Sequence, residues 1–130
     1  LLVVGNVSRA LSFFQDGRGD YLSALLFVQC SNSAPESVTT VGSSSDFRTQ
    51  LILEYYAPLL EPSCARLEYV PQDRWSERTM DYYIHGGLDS EPLPAPSIAL
   101  KGVPYVLDRV YPYSSLVSGF HWFVYRRAAR

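Results

Sequence analysis

The alternation of apolar and polar positions is sharpest over Phe47–Tyr56. There Phe47, Thr49, Leu51, Leu53 and Tyr55 interleave with Arg48, Gln50, Ile52, Glu54 and Tyr56, the period of a half-buried strand. Leu1–Val7 is an apolar run interrupted by Gly5-Asn6, which reads as an opening strand with a bend or bulge. Asp16–Asp20, with two glycines between acids, predicts a turn. Tyr21–Cys30 is apolar at both odd and even positions, as expected of a second strand covered on both faces. Ser31–Asp46 is rich in Ser and Thr and reads as a loop or hairpin tip. Pro58 and Pro62 end the third strand, and Pro62 suits the first position of a short helix running to about Tyr69. Thr79–Leu88 predicts a fourth strand, Asp89–Pro96 a proline-rich loop, and Ser97–Val110 a fifth strand with an irregularity at Gly102 and Pro104. In the tail, Leu116, Val117, Phe120, Phe123 and Val124 recur at three or four residues and predict a C-terminal helix over Ser114–Arg127.

The chain has 130 residues, enough for one domain with one core. With 47% hydrophobic and 18% charged residues it is globular rather than disordered. No run of about 20 apolar residues exists, so no transmembrane helix is expected. The chain opens on an apolar run without Met and reads as a piece of a longer protein, so any targeting signal lies outside it. Net charge is −2, which argues against a strong stand-alone nucleic-acid binder. That charge is unevenly placed: residues 1–53 sum to −1, residues 54–94 to −5 and residues 95–130 to +4. Cys30 and Cys64 have no Cys-x-x-Cys neighbour and only two His accompany them, so no metal site is predicted. They read as reduced core residues in a reducing compartment, with a single disulfide as the alternative.

Five strands with a helix after the third is the order of an all-β, five-stranded OB-fold Greek-key barrel. Its expected extent is residues 1–110, with residues 111–130 an aromatic and basic extension packing on the barrel or on a partner. Three segments sharpen this reading. Leu2-Val3-Val4-Gly5-Asn6-Val7-Ser8-Arg9, Phe47-Arg48-Thr49-Gln50-Leu51-Ile52 and Tyr83-Ile84-His85-Gly86-Gly87-Leu88 resemble, in order, the first, third and fourth strands of the single-stranded-DNA-binding protein family. Phe47 replaces that family's usual Trp, His85 its acid and Gly87 its basic residue. The tail is basic and aromatic rather than glycine-rich and acidic. With these departures the chain is most similar to the OB-fold domains of kinetoplastid mitochondrial RNA-editing complexes. That resemblance implies a mitochondrial location, association with other OB-fold proteins of the same complex or with a second copy, and contact with single-stranded RNA.

The candidate nucleic-acid residues are Arg9, Arg18, Phe47, Arg48, Tyr83, His85, Lys101 and Arg109. Aromatics supply stacking platforms, with Tyr55, Tyr56 and Tyr105 as further candidates, and arginines track phosphates. The competing reading makes Phe47 a core or interface residue and the arginines a solvated surface. The candidate partner interface is Phe120, Trp122, Phe123, Tyr125, Arg126 and Arg127, since Tyr, Trp and Arg together form interface anchors. His85 has no second catalytic group in any recognisable pattern, and no phosphate loop or Gly-x-Ser-x-Gly element is present. The sequence therefore points to a non-catalytic interaction module of an RNA-editing or RNA-processing complex, without cofactor or metal. The alternatives are a diverged mitochondrial single-stranded-DNA binder and a scaffold domain that touches no nucleic acid.

Overall fold

The computed structural model describes residue 7 and residues 20–31, 36–88, 90–112 and 120–128. Six strands form one mixed sheet: β1 (Val38–Ser43), β2 (Arg66–Tyr69), β3 (Tyr82–Leu88), β4 (Ser97–Leu100), β5 (Val103–Tyr111) and β6 (Phe120–Arg127). Their spatial order is β2-β1-β3-β6-β5-β4. β1 runs parallel to both β2 and β3, while β3, β6, β5 and β4 pair antiparallel. Two helices, α1 (Tyr21–Cys30) and α2 (Asp46–Tyr56), complete the described elements together with two 3₁₀ turns. Among the described residues, no helix is long and apolar enough to cross a membrane.

Both faces of the sheet are covered. On one face, Val41, Tyr82, Ile84, Trp122 and Val124 meet Tyr21, Ala24, Leu25 and Val28 of α1, and Ile52, Leu53 and Tyr56 of α2 pack against the same cluster. On the other, Tyr83, Tyr105, Phe123 and Tyr125 join Val70 and Met80. The β2–β3 connection crosses this second face over β1. Trp75 Nε1 donates to the Val70 carbonyl at 3.1 Å, and Met80 lies so close to β1 that a Cβ at Gly42 would fall 1.9 Å from its sulfur. Gly42 is the position where a backbone crossing requires no side chain.

Several sequence expectations are corrected here. Tyr21–Cys30 is a helix, not a strand: its buried residues Tyr21, Ala24, Leu25, Val28 and Gln29 follow helical spacing. Phe47–Tyr56 is a helix for the same reason, with Thr49, Ile52, Leu53 and Tyr56 turned inward. Ser31–Asp46 contains β1, where Val38, Thr39, Thr40 and Val41 supply β-branched side chains and every residue but Val38 is buried. Instead of a helix from Pro62, the chain turns and forms β2, which pairs along β1 from Arg66. Ser97–Val110 is a hairpin rather than one strand. The expected C-terminal helix is β6 from Phe120 onward, and residues 114–119 lie outside the described set. Of the expected strand Leu1–Val7 only Val7 is described, and it is helical. The β-rich class holds, but in place of a closed five-stranded barrel the described strands form an open sheet ending at β2 and β4.

The β4–β5 hairpin is closed by Lys101-Gly102 between the paired residues Leu100 and Val103. Both turn residues have positive φ, 50° at Lys101 and 80° at Gly102. A two-residue hairpin turn of this hand suits Asn-Gly, while a lysine there is strained by its Cβ. Lys101→Asn is therefore expected to raise stability by about 0.5–1 kcal/mol. A higher urea midpoint with unchanged slope is the check.

Candidate functional site

Among the described residues, those expected to bind nucleic acid do not converge on one surface. Arg9 and Arg18 lie outside the described residues. Tyr83 is only 7% exposed; its ring stands edge-on to Trp75 and beside Tyr125, at 5.7 and 5.9 Å between centroids. Burial pushes its phenol pKa up, and Tyr83 belongs to the buried cluster with Tyr105, Phe123 and Tyr125. His85 is half-buried between Tyr83 and Phe123, 6.4 and 6.1 Å away. Arg109 lies on the helix face of the sheet, with its guanidinium 4.6 Å from the centre of the Phe27 ring. Lys101 sits at the hairpin tip on the far edge, and Phe47 and Arg48 are exposed on α2. Tyr105 is buried and donates to the Met80 carbonyl at 3.0 Å.

Three of the expected partner anchors belong to the interior. Trp122 packs in the helix-side cluster, while Phe123 and Tyr125 pack in the opposite one. The Tyr125 hydroxyl donates to the Ala95 carbonyl at 2.6 Å. A strand lying between two neighbours and covered on both faces must be apolar at both parities, which accounts for the aromatic density of β6 without a partner. Arg126 is exposed, 3.5 Å from Asp108, and Arg127 reaches Asp81 at 3.5 Å and Thr79 at 3.0 Å. Phe120 opens β6 opposite Leu88, and its side chain lies outside the described set.

What the fold does bring together is a row of apolar side chains on the outer face of α2. Phe47, Leu51 and Tyr55 recur every fourth residue, and Leu59 continues the row on the adjoining 3₁₀ turn Ala57–Leu59. They are 77%, 50%, 76% and 59% exposed, respectively. Thr49, Ile52, Leu53 and Tyr56 already serve the domain core from the inner face, so the outer row is not needed for it.

The row stands on a firmly held element. At the start of α2 the Asp46 carboxylate accepts from the Tyr69 hydroxyl at 2.6 Å and from the Gln72 amide at 3.1 Å. Ser43 Oγ lies 2.9 Å from the same hydroxyl, and the Gln72 side chain donates to the Ser43 carbonyl at 3.1 Å. Burial, and then the bond to Asp46, push the Tyr69 phenol far above its ordinary pKa. Beyond the other end of α2, Gln29 Nε2 donates to the Glu61 carbonyl at 2.8 Å and its Oε1 accepts from the Glu61 amide at 3.0 Å. A disulfide joins Cys30 to Cys64, with Cα atoms 5.0 Å apart. This overturns the reduced-core reading of the two cysteines: helix α1 and the chain leading into β2 bring side chains 34 residues apart into contact.

Between α2 and β2 runs a groove made of two adjoining hollows of about 410 and 430 Å³ that share Ala57, Leu60 and Leu67. Among the described residues, no three His, Cys, Asp or Glu side chains are grouped to hold a metal. No protein-family model matches the chain, no curated protein is similar to it in sequence, and no solved structure is similar to it in fold. Of the exposed row, Phe47 and Tyr55 were candidates from sequence. Leu51 and Leu59 were missed, although reading positions 47, 51, 55 and 59 at helical spacing picks them out.

Proposed function

We propose that the domain is a non-catalytic assembly module that associates with a second copy of itself through the apolar row on α2. The observation that carries this is the exposure of Phe47, Leu51, Tyr55 and Leu59 at helical spacing on a helix anchored at both ends. Four large apolar side chains exposed in one row support an interaction surface, where singly scattered ones would not. Two such helices laid antiparallel about a two-fold axis set Phe47 of one copy against Leu59 of the other, and Leu51 against Tyr55. This makes the row self-complementary, as an isologous interface requires. Association with related domains of an RNA-processing complex, which the sequence resemblance implies, is part of this proposal; of the three segments behind that resemblance, Phe47–Ile52 is helical and Tyr83–Leu88 is a strand. The disulfide favours an oxidising compartment over a reducing one.

A second reading, single-stranded RNA binding, is favoured by the exposure of Phe47 and Tyr55, two flat rings on the same helix as Arg48. Sedimentation velocity over a concentration series separates the two. The chain is expected to dimerise, and Phe47→Glu to weaken the dimer at least roughly 30-fold, the size of an interface hot spot. The fold should stay within about 0.5 kcal/mol, because the position is exposed. A chain that stays monomeric at about 100 µM, well above the Kd of a specific interface, overturns the assembly reading. Salt-sensitive binding of U-rich RNA that Phe47→Glu abolishes would put RNA in its place.

A further inference from the structure

Among the described residues, the end strand β2 is paired on one side only, by β1. Arg66 N donates to the Ser37 carbonyl at 3.0 Å and Val70 N to the Val41 carbonyl at 2.8 Å. Alternate residues of a strand turn their amides and carbonyls to opposite sides, so Leu67 and Tyr69 turn theirs away from β1. Among the described residues, no strand lies beyond them. The side chains of β2 alternate too. Leu67 and Tyr69 line the groove under α2, whose floor and walls include Leu53, Ala57 and Leu60. Glu68, between them, is on the opposite face, hydrogen-bonded to Arg78. That bond, followed by the charges of Arg66 and Arg74, holds the Glu68 carboxyl below its ordinary pKa. Three exposed arginines therefore surround one carboxylate at the sheet edge, and among the described residues Arg66 and Arg74 have no carboxylate within ion-pair distance.

We infer that the β2 edge takes up an extended segment of another protein as a seventh strand, with acidic side chains toward Arg66, Arg74 and Arg78 alternating with apolar ones toward the groove. Three features select this occupant. Outward amides and carbonyls in alternation match a peptide main chain, whereas the carbonyls repel phosphates. The hollows suit apolar side chains two residues apart on one face of a strand. A second copy is disfavoured at this edge, because it would set one arginine cluster against another. The site is distinct from the row on α2 and stands whether or not that row makes a dimer.

The test uses the whole chain and a fluorescein-labelled peptide of about seven residues alternating Glu and Leu, a typical strand length, with a Lys and Leu peptide as control. The acidic peptide is expected to bind at least roughly tenfold more tightly than the control, and Arg66→Glu to remove that preference. Amide exchange at Leu67 and Tyr69 is expected to slow on binding. The inference fails if both peptides bind equally, if neither binds at about 1 mM, a Kd worth only about 4 kcal/mol, or if binding leaves those two amides unprotected. It also fails if U-rich RNA displaces the peptide and Phe47→Glu weakens both.

Discussion

Trp122→Ala is expected to destabilise the domain by about 3–5 kcal/mol, the cost of deleting a large buried aromatic. Trp122 is 2% exposed. It stands on β6 between Gly86 of β3 and Tyr111 of β5. Its ring is 4.5 Å from that of Tyr21, the first residue of α1. Truncation leaves a cavity under the helix that β-sheet neighbours cannot fill, because their backbones are held by ladder bonds on both sides. Domains of this size are stable by only about 5–15 kcal/mol, so a large fraction of the total is lost. Urea unfolding followed by circular dichroism is the check. The result also separates two roles for the aromatic tail: a partner anchor would leave the isolated chain's midpoint unchanged and weaken only association. An unshifted midpoint would return Trp122 to that role and contradict the central position of β6.

The same residue shows how far the sequence could be read. Trp122, Phe123, Val124 and Tyr125 read as part of an aromatic C-terminal helix that packs on the barrel or on a partner. A strand covered on both faces has no period, and only its pairing with β3 and β5 reveals it. Most of the expected strand Thr79–Leu88, observed as Tyr82–Leu88, the loop over residues 90–96 and the β-rich class were legible, because alternation and prolines marked them. Residues 21–30 and 46–56 were not, since short apolar runs satisfy helical and strand spacing at once. In α2 the alternating set Phe47, Leu51 and Tyr55 is also the outer helical row, and the positions that decide the matter are Thr49, Ile52 and Tyr56 on the inner side. β1 was hidden by Thr39, Thr40 and Ser43, polar residues that are buried only because parallel neighbours flank the strand. Of the candidate site, Phe47 and Tyr55 were legible as aromatics. Their exposure was not, because it depends on which face of α2 the sheet claims.

Reducing the Cys30–Cys64 disulfide is expected to cost about 3–4 kcal/mol, the chain entropy regained by an unfolded loop of this length. Because the heavy atoms are the same in both states, reduction adding only two thiol hydrogens, comparison of oxidised and reduced chain by urea unfolding isolates the crosslink from side-chain volume. The closed loop contains β1 and all of α2, so the bond encloses the strand and helix that precede and carry the exposed row. The adjacent Gln29–Glu61 pair makes two hydrogen bonds across the same junction and keeps it seated after reduction. Gln29→Ala should therefore be more damaging in the reduced chain than in the oxidised one, with a coupling of roughly 0.5–1.5 kcal/mol for neighbours sharing one junction. If reduction leaves the urea midpoint where it was, loop closure contributes nothing. If it lowers the midpoint but Gln29→Ala adds equally in both states, the amide pair and the disulfide act on separate parts of the fold. The expected outcome ties them together. The end of α1, the turn before β2 and the far end of α2 form one junction, so a reducing environment would weaken the platform on which Phe47, Leu51, Tyr55 and Leu59 are presented.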